Sequence, residues 1–127
     1  MIHFGKTCAR GLALGFALIL SMPVSAGTCG YDYCFGAISA GDGGMTARST
    51  GRRTAPDALA RVEKICGTRC GVIEVFHTGC AAIVENFDRA RVAGFGATPE
   101  AAEAEAMMLC ALTDDRACRL RVAACSK

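Results

Sequence analysis

Thr54 stands twelve residues before Cys66, and Thr98 stands twelve residues before Cys110. A chain that repeats itself folds as similar units that complete one another, so this spacing limits the architecture more than any other feature. Between each threonine and its cysteine the apolar residues keep a helical period. Ala58, Leu59, Val62, Ile65 and Cys66 share a face in the first copy, and Ala102, Ala106, Leu109 and Cys110 share one in the second. Each threonine sits where a helix needs an N-cap, its hydroxyl placed to accept from an unpaired backbone N–H. Thr54 and Asp57 have capping-box spacing. Pro99 follows Thr98 at the first helical position, where a missing N–H is harmless.

The flanks repeat as well. Ala37-Ile38 and Ala82-Ile83-Val84 begin short apolar runs. A turn-rich stretch follows each, Gly41 to Gly44 in one copy and Glu85 to Asp88 in the other. Then comes a second extended segment, Met45 to Thr50 and Arg89 to Phe95, which completes a hairpin signature. Gly67 is a C-cap candidate after the first helix. A third strand closes each copy, Val72 to Phe76 and Leu120 to Ala124. The pattern predicts an α+β fold of two strand–strand–helix–strand repeats, about 34–77 and 80–125. Neither unit buries both faces of its elements alone, so the two are expected to form one pseudo-symmetric, disulfide-bridged domain over 27–127, with helices packed on mostly antiparallel sheet. A mature chain of this size buries roughly 60–70% of its unfolded surface.

Residues 1–26 read as a cleaved signal peptide. Lys6 and Arg10 precede the apolar run Gly11 to Leu20, and Val24-Ser25-Ala26 offers a cleavage site before Gly27. The run is shorter than the ~20 residues that span a bilayer. No Leu stands at the −3 position before Cys29, so a lipobox is lacking. The formal charge of +2 resides in this segment: without Lys6 and Arg10, twelve of fourteen basic residues remain against twelve acids. Cleavage also removes Cys8, leaving eight of nine cysteines. A near-neutral mature chain excludes a polybasic nucleic-acid binder and a polybasic membrane binder. An even cysteine count after an export signal points to structural bridges in the periplasm or outside the cell, with no membrane insertion after cleavage.

Aligning the copies places Cys66 with Cys110 and Cys70 with Cys118, which predicts Cys66–Cys70 and Cys110–Cys118 bridges. The same alignment sets His77 opposite Cys125 and Gly36 roughly opposite Cys80. Cys80 opens the first strand of copy two and Cys125 closes its last, so an antiparallel pairing would join them. Cys29–Cys34 follows by elimination. Eight cysteines allow roughly a hundred pairings, and sequence alone does not choose among them. Cys66-Gly67-Thr68-Arg69-Cys70 is C-x-x-x-C, not the C-x-x-C of thioredoxin-like sites. Its spacing would permit zinc, against which the export signal and even count weigh.

These residues resemble the bacterial exported family catalogued as domain of unknown function 4189. The resemblance rests on Gly36-Ala37-Ile38, the helix ending in Cys66, and Cys70 heading a hydrophobic strand. In the second copy it rests on Cys80-Ala81-Ala82-Ile83, Thr98 to Ala104, Cys110, Cys118-Arg119-Leu120 and Cys125-Ser126. It covers residues 34–127, though the chain lacks the tryptophan expected of such proteins. It implies a small, signal-bearing, cysteine-bridged protein and supplies no catalytic residues, cofactor or metal ligands.

A direct search for chemistry yields little. His77 is the only histidine after the signal segment, with Glu74 or Asp32 as conceivable partners. No G-x-S-x-G elbow and no H-E-x-x-H occurs. Gly41-Asp42-Gly43-Gly44 lacks the Lys-Ser/Thr of a phosphate loop and reads as a hairpin turn. Arg48, Arg52 and Arg53 gather before the first helix, where they form a candidate patch for an anionic polymer or acidic partner, or a solvated edge that discourages aggregation. The expectation is a non-enzymatic binding module whose partner is a protein or an envelope component. The alternative is a small envelope or secreted enzyme using His77 or a carboxylate. A Cys80–Cys125 bridge encloses about 46 residues, worth ~4 kcal/mol by chain entropy, against ~2 kcal/mol for Cys66–Cys70. Cys125→Ser should therefore lower the melting temperature more than joint replacement of Cys66 and Cys70, and equal losses in a thermal melt would count against the assignment.

Overall fold

A computed structural model describes residues 29–113 and 117–127. The signal segment, 1–26, lies outside the described residues. Six strands and two helices follow the repeat: β1 (Phe35–Ala40), β2 (Thr46–Arg52), α1 (Ala55–Cys66), β3 (Val72–His77), then β4 (Gly79–Glu85), β5 (Arg91–Gly96), α2 (Pro99–Thr113) and β6 (Arg119–Ser126). Both helices begin where the sequence places them. Thr54 accepts from the Asp57 N–H at 3.2 Å, and Thr98 accepts from the Ala101 N–H at 3.1 Å. Gly67 ends α1 in the left-handed region, φ 56°, with its N–H donating to Glu63.

The strands form two antiparallel three-stranded sheets, ordered β2-β1-β3 and β5-β4-β6. Each half thus sets its first strand in the middle and flanks it with its hairpin partner and its post-helix strand. Side chains alternate across these central strands. Ala37 of β1 packs with Ala58 and Val62 of α1, whereas Ile38 and Ala40 face the other way. In β4, Cys80, Ala82 and Val84 pack with Ala102, Ala106 and Cys110 of α2, whereas Ala81 and Ile83 join Ile38, Ala40 and Phe76. The result is four layers, helix–sheet–sheet–helix, with one apolar cluster under each helix and a third between the sheets. Among the described residues, no helix is long and apolar enough to cross a membrane.

The halves join at one residue. Thr78 separates β3 from β4 and carries the chain from one sheet to the other with φ 47°. Four cysteine pairs lie at disulfide-bonding distance: Cys29 with Cys34, Cys66 with Cys70, Cys80 with Cys125, and Cys110 with Cys118. The first of these ties down the segment before β1. The second and fourth link each helix end to the approach of the next strand. Cys80 faces Cys125 across the β4–β6 register. At the matching place in the first half, Phe35 faces His77, and their rings lie 5.6 Å apart. The counterpart of Cys80 is therefore Phe35, one residue before the Gly36 suggested by sequence alignment. A ring contact in one half occupies the place of a covalent bond in the other.

Helix α2 lies close upon β5 because β5 offers glycine there. A Cβ on Gly94 would run into the backbone of α2 at the Ala106 nitrogen and the Ala102 oxygen. Backbone atoms at both contacts leave no flexible side chain to give way, so relief requires moving the helix. Gly94→Val should cost about 2–3 kcal/mol, read as a lower urea midpoint. An unchanged midpoint would show that α2 is not seated against β5 as described.

Candidate functional site

The repeat breaks at one end of the sheets, and the break is charged. Where β1 pairs Ala40 with Val72, β4 pairs Glu85 with Arg119. The β4–β6 register slips between Ile83 and Val84, which pair with Val122 and Leu120 and leave Arg121 as the extra residue. Arg121 therefore has no counterpart in the first half. A bulge of this kind re-aims a side chain. Strict alternation would send Arg121 to the α2 side with Ala123 and Cys125. Instead its guanidinium meets Glu85, whose alternation with Ala81 and Ile83 points it between the sheets.

Glu85 is the hub. Its side chain is 5% exposed and accepts from three arginines: Arg121, Arg91 at 2.8 Å, and Arg119 at 3.3 Å. Arg121, 9% exposed, also donates to the Gly41 and Met45 carbonyls at 2.9 and 3.3 Å, so it ties the second half to the β1–β2 turn of the first. Arg91 reaches the same turn, donating to Asp42 at 2.6 Å. These groups line a cleft of about 230 Å³, with Arg89 on its rim. A neighbouring hollow of about 330 Å³ shares Glu85, Arg89 and Arg119 and adds the exposed Phe87. Four guanidiniums and two carboxylates leave two more positive than negative charges around the cleft.

Burial pushes the Glu85 carboxyl up, but hydrogen bonds from Arg91 and Arg119 and the charges of Arg121 and Arg91 outweigh it and hold the group below its ordinary value. Asp42 is held below its ordinary value by the hydrogen bond and charge of Arg91. Arg91 is kept protonated more firmly by Asp42 and Glu85.

The residues singled out from sequence lie elsewhere. Arg52 approaches Asp57 at 4.0 Å and donates to Ser49 at 3.3 Å. Arg53 lies over the Tyr31 ring, 5.4 Å from its centre. Arg48 borders a groove of about 590 Å³ with Ile65, Leu120 and Val122. The three thus face three different surroundings. His77 sits at the end of β3, with the Tyr33 and Phe35 rings each 5.6 Å away. Among the described residues, no three His, Cys, Asp or Glu side chains gather to hold a metal ion. Sequence reasoning passed over Asp42, Glu85, Arg91, Arg119 and Arg121. The usable signal was the departure from the repeat: an acid ending the buried run Ala81 to Val84, and two arginines opening a strand whose counterpart opens with Val72-Ile73.

Because the Glu85 pKa is lowered on folding, its stabilisation is complete above the ordinary value of 4.5 and is lost as pH falls through the lower folded value. Glu85→Gln leaves the buried Arg121 guanidinium with no carboxylate and Arg91 with Asp42 alone, and should cost about 3 kcal/mol at neutral pH. It should also flatten the acid limb of a stability–pH curve. A variant whose acid limb matches the wild type would show that Glu85 does not carry this dependence.

The NMR structure of Rv1813c from Mycobacterium tuberculosis is similar in fold, with a TM-score of 0.58 and 23% sequence identity, covering 99% of this chain and 97% of that one. No curated protein matches the chain. The family model described as "Domain of unknown function (DUF4189)" matches residues 35–125. That span holds both helices, the charged cleft and all six strands up to Cys125. The chain belongs to this family, DUF4189.

Proposed function

We propose that this protein is an exported, non-enzymatic binding module that engages a protein or component of the cell envelope, in the periplasm or outside the cell. Residues 1–26 act as the signal peptide, and the working chain begins at Gly27. Four cysteine pairs at bonding distance suit an oxidising compartment.

The observation that carries the reading is the charged cleft. Three of its four arginines bond a buried carboxylate, and two positive charges remain in excess. Oriented guanidiniums on a rigid frame favour recognition of an anionic partner. The surroundings of His77 support the same reading. Two aromatic rings pack near it, and it occupies the place that Cys125 takes in the second half. That arrangement suits ring contacts at an exposed strand end.

Two measurements check the proposal. Mass spectrometry of periplasm and medium should find a chain starting at Gly27, and full-length protein confined to the cytoplasm would defeat export. The oxidised protein, immobilised under non-reducing conditions, should retain an envelope component. His77→Ala should leave that retention unchanged, whereas its loss would favour the enzyme or a site at His77.

A further inference from the structure

We propose that the cleft between the β1–β2 turn and the Glu85 cluster binds a phosphate group, with the Asp42 carboxylate occupying the ligand's place in the free protein. This rests on the binding-module reading and names its ligand.

The two carboxylates of the cleft play different parts. Glu85 is 5% exposed and sits beneath the guanidiniums, where it orients them. Asp42 is 76% exposed and approaches Arg91 from the open side at 2.6 Å. It marks a position where Arg91 already donates to an oxyanion. Asp42 is carried on a turn that continues through Gly43 and Gly44, both in the left-handed region at φ 68° and 76°. That turn is anchored at its base, where the Gly41 N–H donates to Met45 at 2.8 Å and Arg121 holds both carbonyls. A ligand oxygen can replace Asp42 on Arg91 without disturbing the buried pairs below.

Charge selects the ligand. The cleft has an excess of two positive charges with Asp42 in place and of three when Asp42 is displaced. A carboxylate returns only one negative charge. A phosphate monoester brings about −1.5 to −2 and several acceptor oxygens, which match guanidinium forks. The floor is formed by Arg91 and Arg121, whose side chains are 14% and 9% exposed, so their attraction is less screened than that of surface charges. Arg89 and Arg119 stand at the mouth. Phe87, 76% exposed in the adjoining hollow, offers an apolar face to whatever carries the phosphate.

The test is calorimetric titration of the oxidised protein with inorganic phosphate and with a hexose phosphate. Wild type should bind saturably. Asp42→Asn should bind at least about threefold more tightly, since it removes the competing anion. Joint Arg89→Ala and Arg119→Ala, both exposed changes, should weaken binding by about tenfold or more. Arg53→Ala should leave it unchanged. Tighter binding of the hexose phosphate, abolished by Phe87→Ala, supports the site with a phosphorylated sugar as ligand, and equal affinities support it with free phosphate. The proposal is overturned if neither wild type nor Asp42→Asn binds saturably, if Asp42→Asn gains nothing, or if Arg53→Ala loses as much as the double variant. Loss of phosphate binding with an envelope component still retained would sink this inference alone, and loss of both would sink the module reading too.

Discussion

Each half of this molecule has one helix and a sheet with two apolar faces, and that mismatch organises everything else. A helix covers Ala37 on one side of β1, but Ile38 and Ala40 point away from it. The second half has the same surplus at Ala81 and Ile83. Burying apolar area yields roughly 25 cal/mol per Å², so two such faces gain most by covering one another. The chain supplies the second face by repeating itself, and a one-residue link at Thr78 keeps the sheets in contact. Small side chains at Ala40, Ala81 and Ala124 suit that close packing of sheet on sheet.

The same symmetry explains where binding chemistry can arise. Ile38 and Ile83 fill matching places at the centre of the shared core, and both are fully buried. Departures are tolerated at the sheet ends, where one copy can carry charge without disturbing the other. Glu85 replaces an alanine at such an end, and Arg121 enters as an extra residue. A lone buried carboxylate would be costly, and so would a lone buried guanidinium. Together, and with the Gly41 and Met45 carbonyls, they satisfy one another and join the two halves. The charged cleft is thus a fastening between the halves as well as the recognition surface we propose. The buried charges hold the frame, and the exposed ones meet solvent.

The elements were legible in the sequence because their causes are local. Periodicity, a threonine cap and a following glycine or proline act within one turn of helix. This is why Thr54 and Thr98 mark the starts of α1 and α2 in structure as in sequence. The hairpin of each half was legible for a similar reason, since a short turn leaves few ways to pair its two strands. The site was not legible. Arg48, Arg52 and Arg53 are neighbours in the chain, yet Arg52 turns toward Asp57 and Arg53 toward Tyr31. Asp42 and Arg121 lie far apart in sequence and share a cleft in the fold.

By itself, the sequence determined the repeat, the helices with their caps, the hairpins and the cysteine spacing. All depend on short-range spacing and residue chemistry. Only the tertiary structure decided that the halves stack sheet to sheet, that a bulge turns Arg121 inward, and that Glu85 gathers arginines around the β1–β2 turn of the other half. A shift of one residue in strand register reverses which face a side chain takes. That reversal is set by pairing between distant strands, and no local pattern encodes it.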